Sequence, residues 1–208
     1  MTESVVIVDY GAGNITSVSR ALQFLDVKAT ISCAPTVIAS ADRIIFPGVG
    51  SAAHAMSSLD ASGVIPALKT MVESGKPFLG ICLGAQIALR ASDEGDVACL
   101  GLVDGVTTTL AALYHDQMLK IPHMGWNTVR REIDHPIFFG IPNPSYFYFV
   151  HAYYTNTVAP TLSIGSTEYG SRFTTAYAKK NIVGVQFHPE KSGPVGLQLL
   201  RNFMNWRP

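Results

Sequence analysis

The sequence predicts an α/β fold: a mostly parallel central sheet flanked by helices, with additional antiparallel strands. Three observations carry that expectation. Continuous apolar runs alternate with helix-like segments through the first half of the chain. Strands that are apolar along their whole length are buried on both faces, as in a parallel sheet covered by helices. In the second half, short runs rich in branched and aromatic residues follow one another across turn signals, the pattern of antiparallel strands. Apolar residues make up 48% of the 208 and charged residues 14%, which supplies a core and is unlike a disordered chain.

Taken in order, residues 4–9 (Ser-Val-Val-Ile-Val-Asp) read as a buried strand, and a glycine turn leads into an amphipathic helix over about 15–25. Short strands are expected at 27–33 and 43–46, helices near 52–59 and 65–73, then a strand at 77–81 and a helix over 83–90. The later strands fall at 146–150, 162–167, 174–178 and 182–187, with turn signals such as Pro142-Asn-Pro144 and Lys180-Asn181. A last helix covers about 195–206. No repeat, low-complexity tract or linker interrupts the chain, so one domain over 1–208 is expected.

Composition excludes several classes of function. Lys+Arg and Asp+Glu balance at 15 each, so no excess charge points to nucleic acid or to an anionic membrane. The longest apolar stretch, 78–89, is broken by Gly80, Gly84 and Gln86 and is too short to span a bilayer. Met1-Thr-Glu-Ser lacks the basic segment and small-residue cleavage site of a signal peptide. Cys33, Cys82 and Cys99 are odd in number and form no Cys-x-x-Cys pair. That is neither a disulfide framework nor a zinc site, and it fits a reducing cytoplasm. Asp9-Tyr-Gly-Ala-Gly-Asn14 fails as a dinucleotide loop, because Thr16 stands at the third glycine and no acidic residue closes the second strand. No cofactor and no metal is expected.

The most informative segment is Lys76-Pro-Phe-Leu-Gly-Ile-Cys-Leu-Gly-Ala-Gln86. An apolar strand runs into Gly80-x-Cys82-x-Gly84 and a helix follows, the layout of a nucleophile elbow with sulfur for oxygen. Glycines permit the tight turn and the close approach of main chain to a substrate. A cysteine at a helix N-terminus meets N–H groups and a dipole that favour thiolate, and those N–H groups, Leu83 first, can also serve an oxyanion. The competing reading is an inert buried thiol. For Cys33 and Cys99, which lack this setting, the inert reading wins.

A second segment, Gly184-Val-Gln-Phe-His-Pro-Glu190, ends a strand on two polar side chains. Pro189 fixes the backbone, and residues two apart in extended chain face the same way. Glu190 can therefore accept from one nitrogen of His188 and leave the other for a thiolate. A strand-end histidine beside an exposed glutamate is the bland alternative. With the elbow, the segment completes a Cys82/His188/Glu190 triad.

Gly-x-Cys-x-Gly-x-Gln followed late by His-Pro-Glu closely resembles the class I (triad) glutamine amidotransferases. The resemblance implies Cys82 as nucleophile, His188 as acid/base and Glu190 as its orienting group, on that family's fold. It implies further that Gln86 lies by the bound L-glutamine with Gly48 and Tyr153, and that Glu94 meets its α-amino group. Phe46-Pro-Gly-Val-Gly50, Lys120-Ile-Pro-His-Met-Gly-Trp-Asn127, Tyr148-Phe-Val-His-Ala-Tyr153 and Gln186-Phe-His-Pro-Glu-Lys-Ser192 look like the glutaminase subunits of imidazole glycerol phosphate synthases. This likeness runs essentially the whole chain, and the Pro-His-Met-Gly-Trp-Asn stretch is its most specific part. It implies a heterodimer with a cyclase subunit of (β/α)₈ type, meeting Asn14, Trp126, Tyr148 and Lys191. Two places depart from pattern or lack one: Ala152 stands where family members often have Ser or Thr, and 107–118 is unreadable, with His115-Asp116 taken as solvated loop.

The implied chemistry is acyl transfer, in which the thiolate attacks the side-chain amide, ammonia leaves and water releases glutamate. Val49 and Gly50 offer a second set of oxyanion N–H donors, since the flanking glycines let the Val49 peptide reorient. Without the resemblance, Pro47-Gly-Val-Gly50 reads equally as a plain turn. Three alternatives stay open: a free-standing hydrolase of γ-glutamyl compounds, a catalytically silent regulatory subunit, and the glutaminase of another pathway. His123 and His151 fit an interface, the glutamine site or a structural role, and sequence does not separate these.

Overall fold

The computed structural model describes residues 3–11, 13–113, 119–157 and 159–208. The first half gives β1 (Val5–Val8), α1 (Ile15–Phe24), β2 (Ala29–Ser32), α2 (Pro35–Ser40), β3 (Arg43–Gly48), α3 (Ala52–Ala61), α4 (Ile65–Glu73), β4 (Phe78–Cys82) and α5 (Leu83–Ile87). After it come β5 (Ala91–Ser92), β6 (Val97–Ala98), β7 (Gly105–Thr109), β8 (His123–Arg131), β9 (Ser145–His151) and β10 (Tyr153–Thr157). The chain closes with β11 (Ser163–Tyr169), β12 (Ser171–Lys179), β13 (Ile182–Val185) and α6 (Gly193–Asn205).

The large sheet runs β2-β1-β3-β4-β13-β12-β11-β8-β9. Its first five strands are parallel and the rest antiparallel. A small sheet, β10-β7-β5-β6, stands apart. The α/β class expected from sequence is therefore the class observed.

Alternation along the buried strands divides the core in two. Val5 and Ile7 face α1 and α6, meeting Val18, Leu22, Leu199 and Phe203, while Val6, Val8 and Phe46 meet Leu59, Leu68 and Met71 on the other side. Each such fully buried aliphatic side chain contributes about 1.5–3 kcal/mol. Arg43, 1% exposed, ties the sheet to the end of α6 by donating to the Phe203 and Trp206 carbonyls, and it pairs with Glu3 at 2.8 Å. No helix among the described residues is long and apolar enough to cross a membrane.

Two expectations change. The helix expected over 83–90 stops at Ile87, because the Leu89 amide turns to the Gln86 carbonyl and the Arg90 amide donates to the Gly105 carbonyl, away from the acceptors a helix would give them. The Pro-His-Met-Gly-Trp-Asn segment, which carried no structural assignment, leads from Pro122 into β8, a nine-residue strand that begins at His123. His115 and Asp116 lie outside the described residues.

Candidate active site

Parallel pairing brings several loops to one edge. Gly48 of β3 stands opposite Cys82 of β4, and Val185 of β13 stands opposite Ile81. The segments leaving β3, β4 and β13 thus emerge side by side at the carboxyl ends of the strands, where open α/β sheets place their sites.

Cys82 sits at φ 52 and ψ −109, between β4 and α5. A non-glycine residue there stores roughly 1–3 kcal/mol of strain. The strain is held because both flanks are locked: a Cβ on Gly84 would come within 1.7 Å of the Phe46 carbonyl oxygen, so only glycine lets α5 approach β3. The thiol is 5% exposed, and the amides of the first turn of α5 begin beside it, with no earlier turn to accept from them.

His188 follows β13 and is fully buried. Its Nδ1 lies 2.7 Å from Glu190 Oε1, and Asn14 Nδ2 donates to the same oxygen at 2.5 Å. With Nδ1 donating to Glu190, the 3.2 Å approach of Asn14 to that nitrogen is a contact rather than a hydrogen bond. His188 Nε2 and Glu190 Oε2 are buried without a hydrogen-bond partner among the described residues. Burial pushes the His188 pKa down, but Cys82 and Glu190 overcome it and hold the imidazolium up to about 10. Thiol, ring and carboxylate can therefore act as a nucleophile, a proton carrier and its orienting group.

A cavity of about 210 Å³ opens over Cys82. Val49, Gly50, Leu83, Gln86, Glu94 and Tyr153 line it, which gathers most residues the sequence assigned to oxyanion and glutamine. Gly48 is buried beneath it rather than lining it, since a Cβ there would meet the Tyr10 hydroxyl at 2.0 Å. Gly50, at φ 112, turns the loop, and Val49 is 38% exposed. One Glu94 oxygen accepts from the Ala52 amide at the start of α3, at 2.8 Å. Gln86 spends its Nε2 on the Tyr153 carbonyl (2.9 Å) and on Gln186 Oε1 (3.1 Å), leaving its oxygen to meet a ligand. Ala152 lines the wall without a hydroxyl to offer.

Of the residues expected at a partner face, Trp126 is 56% exposed and packs edge-on against Tyr148 at 6.1 Å, its cross-strand neighbour. Met124 (63%) and Tyr146 (62%) extend that outer apolar surface of β8 and β9. Lys191 is exposed on the turn after Pro189. Asn14 differs: its side-chain amide is engaged with Glu190, because its left-handed backbone (φ 66) at the start of α1 turns the chain back toward that carboxylate.

Two residues with no assigned role, Gln186 and His151, also reach the site, and His123 stands behind His151. Gln186, fully buried, donates to Cys82 Sγ at 3.6 Å. It lies just past the end of β13, two residues before His188, and the alternation expected of a strand over 182–187 was the available signal. His123 and His151 pair across β8 and β9 at 2.9 Å, a register no local pattern reveals.

A family model described as "Glutamine amidotransferase class-I" matches residues 6–206. Among similar curated proteins, "Imidazole glycerol phosphate synthase subunit HisH" of Thiobacillus denitrificans is 45% identical, covering 100% of this chain and 93% of its own length. Its namesake in Nitrosomonas europaea is also 45% identical, with 99% of both chains covered. Among solved structures, that titled "Structure of PurLQS from Thermotoga maritima" superposes with a TM-score of 0.78 at 16% identity, over 99% of each chain. The "putative gmp synthase subunit a protein" of Thermoplasma acidophilum gives 0.71 at 19%, over 99% and 94%. At such identities the structural likeness speaks to fold alone.

Proposed function

The chain belongs to the class-I glutamine amidotransferases, and from that premise we propose that it is the glutaminase subunit of an imidazole glycerol phosphate synthase, working as one domain. The relatives named for that enzyme support this along the whole chain. The observation that carries the chemistry is the buried His188–Glu190 pair beside a cysteine at a strained strand-to-helix turn.

In this reading Cys82 thiolate attacks the side-chain amide carbon of L-glutamine. The carbonyl oxygen, now negative, is held by the Leu83 N–H and by donors from Val49 and Gly50. His188 gives a proton to the departing nitrogen, ammonia leaves, and a glutamyl thioester remains on Cys82. The same imidazole takes a proton from water, whose oxygen attacks the thioester, and glutamate departs as the sulfur is released. Glu190 keeps Nδ1 protonated so that Nε2 faces the reaction. Gln86, Tyr153 and Glu94 bind the substrate.

Ammonia is used by a separate cyclase subunit of (β/α)₈ type, met at the Trp126, Tyr148 and Lys191 face, and the pair works in the cytoplasm. The free thiols of Cys33, Cys82 and Cys99 support a reducing compartment. Partner and nucleotide substrate turn the Val49 peptide toward the oxyanion. The test is co-purification with candidate synthase subunits, followed by glutamine hydrolysis with and without the nucleotide. Hydrolysis rises when both are present. Equal turnover without them removes the Val49 switch, and rapid turnover by the lone chain returns the free-standing hydrolase.

A further inference from the structure

A run of buried hydrogen bonds ends on the Cys82 sulfur, and chemistry fixes its direction link by link. His151 Nδ1 lies 2.7 Å from the Tyr153 carbonyl, which only accepts, so Nδ1 carries the proton. Burial keeps His151 and His123 neutral. His151 Nε2 is therefore bare and accepts from His123 Nδ1 at 2.9 Å. His123 Nε2 is bare in its turn and accepts from Asn127 Nδ2 at 3.2 Å, while that amide also donates to the Glu168 carbonyl at 3.0 Å.

The other direction is equally constrained. The Tyr153 carbonyl also accepts from Gln86 Nε2 at 2.9 Å, and the second N–H of that amide reaches Gln186 Oε1 at 3.1 Å. This fixes the amide of Gln186: turned over, it would set one NH₂ group against another. Its Nε2 must face Cys82 Sγ, at 3.6 Å. The thiol's own proton points to the Val150 carbonyl at 3.9 Å. Once that proton leaves, the Val150 oxygen has nothing to accept, whereas the Gln186 N–H meets a full negative charge and its bond strengthens.

We propose that Gln186 is a positioning residue for the nucleophile, holding the Cys82 sulfur by an N–H whose direction Gln86 and the Tyr153 carbonyl impose. The proposal rests on reading Cys82 as the nucleophile. The bond favours thiolate before attack and again when sulfur is expelled from the thioester. Its influence falls on turnover more than on glutamine binding.

The test compares Gln186→Met, Gln186→Glu and Cys82→Ala with the unaltered chain, each assembled with its synthase partner. Turnover and KM for glutamine are measured, together with the rate of Cys82 alkylation by iodoacetamide at neutral pH, read by intact mass. Losing a hydrogen bond to a charged group lowers the turnover of Gln186→Met by about 10–100-fold, with KM within about twofold and alkylation slowed in parallel. The near-isosteric Gln186→Glu sets an oxygen against the sulfur and is slower still. A folded Gln186→Met with unchanged turnover and alkylation, or with only KM raised, overturns the proposal. If Gln186→Met does not fold, Gln186→Glu decides on the same terms. Hydrolysis surviving Cys82→Ala overturns the nucleophile reading instead, so the two failures are distinguishable.

Discussion

Two pairs of buried polar side chains approach Cys82, and their histidines differ in charge. His188, paired with Glu190 at the end of a parallel strand, is raised to about 10. His123 and His151, paired across two antiparallel strands, are lowered to about 4 and about 3. All three rings are at most 4% exposed, so depth does not explain the difference. Burial disfavours imidazolium in every case, and only His188 has a sulfur that can carry negative charge, and behind it a carboxylate, to reverse it. His151 has a carbonyl and another neutral ring. One site is built to move a proton, the other to keep its protons where they are.

Breaking the contrast from the charged side gives the largest effect. Glu190→Gln keeps the shape and removes the charge, so His188 keeps only Cys82 to oppose its desolvation and loses the acceptor that fixes its Nδ1 proton. Glutamine turnover by the assembled enzyme should fall about 10³–10⁴-fold, while the thermal midpoint moves little. A loss under tenfold in steady-state assays would leave Glu190 without its orienting role.

The contrast also explains what the sequence could disclose. His188 and Glu190 are two apart and meet through a 3₁₀ turn over Pro189–Lys191 rather than the extended chain expected, and Cys82 announces itself through its glycines, so short-range sequence made these legible. The parallel half was equally legible, because Val5–Val8 and Phe78–Cys82 are apolar throughout. His123 and His151 meet only through the register of β8 with β9. Asn14 joins Glu190 only because α1 starts with a left-handed residue. The early end of α5 depends on the Gly105 carbonyl, which takes the Arg90 amide. Each of these arises from long-range pairing, which no window of sequence contains.

Testing the neutral side gives a smaller effect. His151→Phe leaves the His123 Nδ1–H buried without an acceptor, and His123→Phe strands both His151 Nε2 and an Asn127 N–H. Each should cost about 1–3 kcal/mol in urea unfolding. The double variant removes both ends of the central bond, so its cost should fall short of the sum by about 0.5–3 kcal/mol. Strict additivity would mean that the rings do not depend on each other.

The smallest effect is an acid one, and its sign follows from the same neutrality. In the unfolded chain both rings bind protons near the ordinary 6.5, but in the fold they resist until about 4 and about 3. Between those values the unfolded state holds more protons, so stability rises with pH there and is lost as pH falls from 6.5 toward 4. The groups facing the pair do not offset this. His123 stacks between Tyr169 and Phe149, and for His151 the Tyr153 carbonyl raises it less than burial, with His123 and His188, lowers it. Carboxylates elsewhere, such as Asp42 and Glu132, are held below their usual range and act lower in pH. Thermal midpoints measured from pH 7 down to 4 should therefore decline less in the His123→Phe/His151→Phe double variant than in the unaltered chain. Parallel curves would mean that the folded pair already accepts a proton, and a protonated His151 has no bare nitrogen to accept from His123.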